Sequence, residues 1–174
     1  MPDEQREPNP ETQLASYFAK YEPALAKFGK ALRAKLRGRL PGFFEIVYVY
    51  ENQDALVISY SPTQNGYEGL FSLALYPATV KLFFAQGTQL SKSDPSKLLQ
   101  GRAKVRYVEL KSASDFDRAE IEVLIAATLK LAKVRLDPRA KGSVIIKAEA
   151  QKQRAAKKKA ARPASTPRKA KAKG

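Results

Sequence analysis

Residues 44–60 read FEIVYVYENQDALVISY, two runs of β-branched, aromatic and aliphatic residues around the polar insert ENQD at 51–54. Val, Ile, Tyr and Phe at this density favour extended backbone, and a short polar break between two such runs marks a hairpin. The next segment repeats the pattern, with 70–76 (LFSLALY) and 79–84 (TVKLFF) flanking Pro77-Ala78. A fifth run, 104–110 (KVRYVEL), follows a stretch that contains Asp94-Pro95 and Gly101. Asp before Pro supplies a cap and a first-turn residue, so 96–100 is expected to form a short helix closed by Gly101.

Helical periods lie on both sides of these strands. Thr12 is the expected cap of a helix with Leu14, Tyr17, Phe18 and Tyr21 on one face. Pro23 suits the first turn of a second helix, which carries Leu25, Phe28, Leu32 and Leu36 at helical spacing. Its other face carries Lys27, Lys30, Lys35 and Arg37, and Gly38 with the Pro41-Gly42 pair ends it. Asp117 with Glu120 resembles a capping box and opens a third helix that buries Ile121, Leu124, Ile125, Leu129 and Ala132. Strands joined by short turns and grouped between helices indicate an α+β domain. The expected sheet is antiparallel, of about five strands, packed against N- and C-terminal helices. Val144-Ile145-Ile146, just after Gly142, reads either as a further edge strand or as an incidental run in a linker.

Charge divides the chain. Its 174 residues hold 32 Lys and Arg against 17 Asp and Glu, a net +15, and 13 of the basic residues with a single acid, Glu149, fall in 139–174. Composition therefore assigns 1–11 to a disordered leader, 12–138 to the folded domain and 139–174 to a disordered basic tail. There is no Cys and no His, which excludes disulfides, thiolate nucleophiles, zinc sites of the usual donors and a His general base. No catalytic site can be assembled from the remaining residue types by spacing, so the chain reads as non-enzymatic, with no cofactor. The polar N-terminus has no apolar signal region and no apolar run is long enough to span a bilayer. The expectation is a cytoplasmic, nucleoid-associated protein with no membrane partner.

A segment rich in Lys, Ala and Pro cannot bury enough apolar surface to offset its ordering entropy. In that composition the tail resembles those of linker histones and histone-like bacterial proteins. Its cations Lys152, Arg154, Lys157, Lys158, Lys159, Arg162, Arg168, Lys169, Lys171 and Lys173 are the expected contacts to DNA or RNA. Such contacts gain affinity from counterion release and read no sequence. A purely solubilising tail is the plainer reading; an anionic lipid lacks the apolar anchors it would need.

Within the domain, Leu56-Val57-Ile58-Ser59-Tyr60-Ser61-Pro62 precedes Val80-Lys81-Leu82-Phe83-Phe84, Gly87 and Leu90. Asp94-Pro95, Leu98-Leu99-Gln100-Gly101, Lys104-Val105-Arg106-Tyr107-Val108 and Asp115-Phe116-Asp117 follow in order. In this ordering the chain resembles the YdhG-like family of domains of unknown function. The resemblance implies a curved antiparallel sheet backed by helices and, from some members, a frataxin-like role in iron handling. An intracellular iron or small-ligand carrier, with an incidental tail, is thus the alternative to nucleic-acid contact. The family's basic segment commonly reads Gly-x-Gly-Lys-x-x-Arg-His. Here Ala103 replaces the second Gly, the Lys–Arg spacing is one residue shorter and Tyr107 stands where His is common.

Three groups of residues in the domain merit a functional reading beside a plain one. Arg102, Lys104 and Arg106 are spaced by two, which on a strand places them on one face as an anion contact or as a solvated edge. Among the sheet aromatics, Tyr48, Tyr50, Tyr60 and Tyr76 are the candidates for a small-ligand pocket, because a buried phenol needs a partner. Phe43, Phe44, Phe71, Phe83 and Phe84 are expected mainly in the core, with base stacking the alternative. Asp115, Asp117, Glu120 and Glu122 would serve iron, or simply the dipole at a helix start. No metal ligands are assigned.

Overall fold

A computed structural model describes residues 8–148. The ten candidate contacts of the tail, from Lys152 to Lys173, lie outside the described residues. The elements run α1 (Pro10–Phe18), α2 (Pro23–Arg39), β1 (Phe44–Tyr50), β2 (Ala55–Ser61), β3 (Phe71–Leu75), β4 (Val80–Phe84), β5 (Arg106–Leu110), α3 (Ala119–Leu131) and β6 (Val144–Ile146), with 3-10 turns between them. The sheet order is β5-β4-β3-β2-β1-β6. Every pair is antiparallel except β1 with β6, which is parallel. The fold is α+β, as the grouping of strands between helices indicates, with six strands rather than five.

The hairpin of 44–60 forms as its composition dictates. Asp54 takes the left-handed conformation (φ 47°) that reverses the chain after the 3-10 turn Glu51–Gln53. Register then decides what each face carries. Val47, Ile58, Leu73, Leu82 and Val108 are successive cross-strand partners, so they share a face. They join Leu14 and Phe18 of α1, Leu32 and Leu36 of α2, and Leu124 and Ile125 of α3 in one buried cluster. The helices therefore cover this face of the sheet.

Several boundaries differ from the sequence reading. Helix α1 begins at Pro10 behind Asn9, whose side chain accepts from the Glu11 N–H at 2.9 Å. Proline at the first position with an Asx cap before it starts a helix earlier than Thr12 does. The capping box near α3 is Ser112 with Asp115, at the head of the 3-10 turn Ala113–Asp117, and α3 itself starts after Arg118. No helix forms over 96–100. The Asp94 carboxylate accepts from the N–H groups of Leu98 (2.8 Å) and Leu99 (2.9 Å), and Lys97 has φ 53°, which a right-handed helix cannot hold. A 3-10 helix, Gly87–Ser93, stands ahead of it instead.

Strand β6 extends the sheet into the stretch that composition assigns to the tail. Val144, Ile145 and Ile146 pair with Glu45, Ile46 and Val47. The Glu45 N–H donates to the Ser143 carbonyl at 3.0 Å, and the Lys147 N–H donates to the Val47 carbonyl at 2.9 Å. Gly142 permits this approach, since a Cβ there would lie 1.7 Å from the Phe43 carbonyl oxygen.

Candidate nucleic-acid interface

The opposite face of the sheet carries the other half of the register. Ile46, Ser59, Ser72, Phe83 and Tyr107 form one cross-strand row, and Tyr48, Val57, Ala74, Lys81 and Glu109 form the next. None of these side chains belongs to the cluster against which the helices pack. Among the described residues, the turn after β2 folds over one end of this face. Ideal Cβ atoms on Gly66 and Gly69 would meet Tyr48 Oη and Ser59 Oγ. The end made by β4 and β5 carries a partly exposed aromatic group instead.

That group has defined geometry. Phe83 and Tyr107 are direct partners on β4 and β5, with ring centroids 5.3 Å apart and planes tilted by 48°. The Lys81 ammonium lies 4.4 Å from the Tyr107 ring centroid and 5.2 Å from that of Tyr76, within cation–π range of both. Glu109 shares the row with Lys81, but its carboxylate pairs with Lys111. That contact is the main cause holding the Glu109 carboxyl below its ordinary range. The Tyr76 phenol is raised, chiefly by burial.

A basic loop borders these rings. The Gln100 and Tyr107 backbones exchange two hydrogen bonds, of 2.7 and 3.1 Å, which tie the loop to the outer edge of β5. Gly101 makes the turn at φ 99°, a conformation open to glycine and strained for other residues. Lys92, Lys97, Arg102 and Lys104 are all exposed, and none forms an ion pair among the described residues. The loop's one acid, Asp94, is buried and spent on backbone N–H groups.

The two-residue spacing of Arg102, Lys104 and Arg106 does not make one strand face. Strand β5 starts only at Arg106, and 102–105 form a bend. Arg102 and Lys104 project from the loop, while Arg106 is half-buried against Gly87, with its Nε buried and without a hydrogen-bond partner. The strand begins there because its ladder partner β4 ends at Phe84, opposite Arg106.

The basic face of α2 has a different character. Lys35 pairs with Asp117 (2.6 Å), Arg37 with Glu11 (3.4 Å), Arg39 with Glu122 (2.8 Å), and Arg33 with both Glu11 (2.9 Å) and Glu45 (2.7 Å). These pairs neutralise Arg33, Lys35, Arg37 and Arg39, whereas Lys27 and Lys30 of the same helix are exposed and form no ion pair among the described residues. The same pairs commit the acids read as iron candidates. Asp117 and Glu122 hold α2, Asp115 accepts from the Lys111 and Ser112 N–H groups, and Glu120 pairs with Arg118. Among the described residues, no group of three or more Asp or Glu converges to hold a metal.

The four tyrosines read as a pocket do not line one cavity together. Tyr60 is fully buried on the helix-covered face, where its hydroxyl donates to Glu45 Oε1 at 3.2 Å. Burial pushes that phenol well above its ordinary value, with the nearby Glu45 charge adding to it. Tyr48 and Tyr50 stack with centroids 6.4 Å apart on the open face, and Tyr76 sits beside Lys81. Tyr50 also lines a cleft of about 400 Å³ with Tyr17, Tyr21 and Leu56. A second, wider cleft of about 690 Å³ lies between Phe28 of α2 and Pro77, Val80 and Leu110 at the sheet's end.

Sequence reasoning missed the buried pair of Glu45 and Arg33, which joins β1 to α2, and it overlooked Tyr107 as a site residue. A Tyr two positions beyond Val105, in a run already rich in Lys and Arg, was the available signal. No helix among the described residues is long and apolar enough to cross a membrane. No family model, curated protein or solved structure matches the chain.

Proposed function

We propose that this protein is a non-enzymatic nucleic-acid-binding protein whose Lys/Arg-rich tail holds DNA or RNA without sequence preference. The single observation that carries this reading is the charge split. Segment 139–174 has 13 basic residues against one acid, within a chain of 32 against 17. A polycation gains affinity for phosphate backbones by releasing their condensed counterions. The pattern of ion pairs supports the same reading from the other side. Four cations of α2 (Arg33, Lys35, Arg37 and Arg39) are matched by carboxylates, while the loop beside β5 keeps Lys92, Lys97, Arg102 and Lys104 without ion pairs among the described residues and the tail carries the largest excess of charge.

The test keeps the whole chain, because a protein ended at Pro138 would lack β6. All ten cations of 151–174 are changed to Gln, and binding to duplex DNA is compared by gel shift. The reading expects most of the affinity to disappear. Equal binding by the two proteins would refute it.

A small-ligand carrier with an incidental tail is the second reading, and the cleft between Phe28, Pro77 and Leu110 favours it. A metabolite panel that raises the melting temperature of the tail-neutralised chain would support this reading, and a flat panel would count against it.

A further inference from the structure

The tail explains attraction to any polyanion, but it gives no reason for the arrangement at the β4–β5 end of the sheet. Two rings, Phe83 and Tyr107, stand 5.3 Å apart on the face that the described helices leave uncovered. Lys81 reaches over one of them at 4.4 Å. Arg102 and Lys104 project from the adjoining loop, and no carboxylate pairs with them among the described residues. A solvated strand edge needs charge but not partly exposed rings. A packed core needs rings but not unpaired cations beside them. Rings and unpaired cations together match a strand whose bases are free to stack and whose phosphates pass alongside.

We infer that Phe83 and Tyr107 form a stacking platform for single-stranded nucleic acid, with Lys81, Arg102 and Lys104 as its phosphate contacts. The inference rests on the proposed nucleic-acid function and deepens it by naming the strand class. A duplex hides its base faces in the helical stack, so only an unpaired strand can use the rings. The charge of the loop selects this occupant over an apolar one. Lys81 lies over ring faces and forms no ion pair among the described residues, although the Glu109 charge opposite it acts on it from a distance, so it can reach a phosphate without breaking a direct pair.

The experiment compares affinities of the full chain for a labelled oligothymidylate and for a duplex of the same length, at one low salt concentration. Tyr107→Thr and Phe83→Thr remove the rings while keeping strand propensity. Each should lower the single-strand to duplex affinity ratio by about tenfold, the scale of one lost stacking partner. Tyr107→Phe should keep the ratio, because it keeps the ring. The chain with the ten tail cations changed to Gln should bind both forms more weakly with the ratio little changed. A ratio untouched by both ring-removing variants overturns the inference, and so does an equal loss for both nucleic acids. If Tyr107→Thr instead halves the solution mass without moving the ratio, the face belongs to a second copy and the inference fails. Loss of tail-dependent affinity is read in a different variant, so failure of the tail reading and failure of the platform are told apart.

Discussion

Glu45 is the residue whose surroundings are most constrained. It lies on the helix-covered face, 3% exposed, and accepts from Arg33 through both oxygens at 2.9 and 2.7 Å and from Tyr60 Oη at 3.2 Å. Removing Arg33 leaves the buried Glu45 charge with only the Tyr60 hydroxyl and a longer contact, 3.8 Å, to Arg37. Arg33→Met should therefore lower stability by about 3 kcal/mol in urea titration, while Arg33→Met with Glu45→Met recovers most of the loss. Tyr60 reports through pH. Its phenol is neutral well above the ordinary value of 10.0 in the fold, whereas the unfolded chain ionises near that value. The unfolded state thus releases a proton first, and stability falls as pH rises through about 10. Tyr60→Phe should flatten part of this alkaline fall and cost about 1 kcal/mol at neutral pH, where Glu45 loses a donor. Little of this cluster was legible in advance. Tyr60 was recognisable as a phenol needing a partner, but Glu45 looked like the polar member of an alternating strand. Its partner on α2 is twelve positions away in sequence and is brought near only by packing.

The elements were read more fully, because their signals are local. The runs 44–50, 55–60, 70–76 and 79–84 emerged as strands, since β-branched and aromatic density survives any packing. Caps were harder. Asn9 and Ser112 outcompete Thr12 and Asp117, and that contest depends on which backbone donors remain unpaired after folding. The basic run 102–106 misled for the same reason: spacing by two has meaning only on a strand, and the strand begins at its last member. Val144-Ile145-Ile146 was ambiguous because three residues carry too little pattern, and its pairing is with β1, far away in the chain. Gly142 makes that pairing testable. Gly142→Ala would place a Cβ against the Phe43 carbonyl, so it should destabilise the fold by about 1–3 kcal/mol or release β6. In hydrogen exchange, the Lys147 amide, bonded to the Val47 carbonyl, should then lose its protection. An unchanged Lys147 amide would show that the strand is not held as described.

At the scale of the molecule, two surfaces with different electrostatics follow from one sequence. The α2 side spends Arg33, Lys35, Arg37 and Arg39 on carboxylates, and, among the described residues, the β4–β5 side leaves Lys81, Arg102 and Lys104 without an ion pair beside partly exposed rings. The tail adds a third and larger block of charge that the sequence alone discloses. Composition made the block legible, but it could not separate paired from unpaired cations within the domain, because pairing is a property of the fold. The central claim is that phosphate contacts by the tail dominate affinity. Its most direct test is the salt dependence of binding to a labelled oligothymidylate, measured for the full chain and for the chain with its ten tail cations changed to Gln. With about 6–8 tail cations engaged, log K against log salt should fall with a slope of about −4 to −6 for the full chain and be much shallower for the variant. The same slope in both proteins, or a nearly flat one in the full chain, would contradict it.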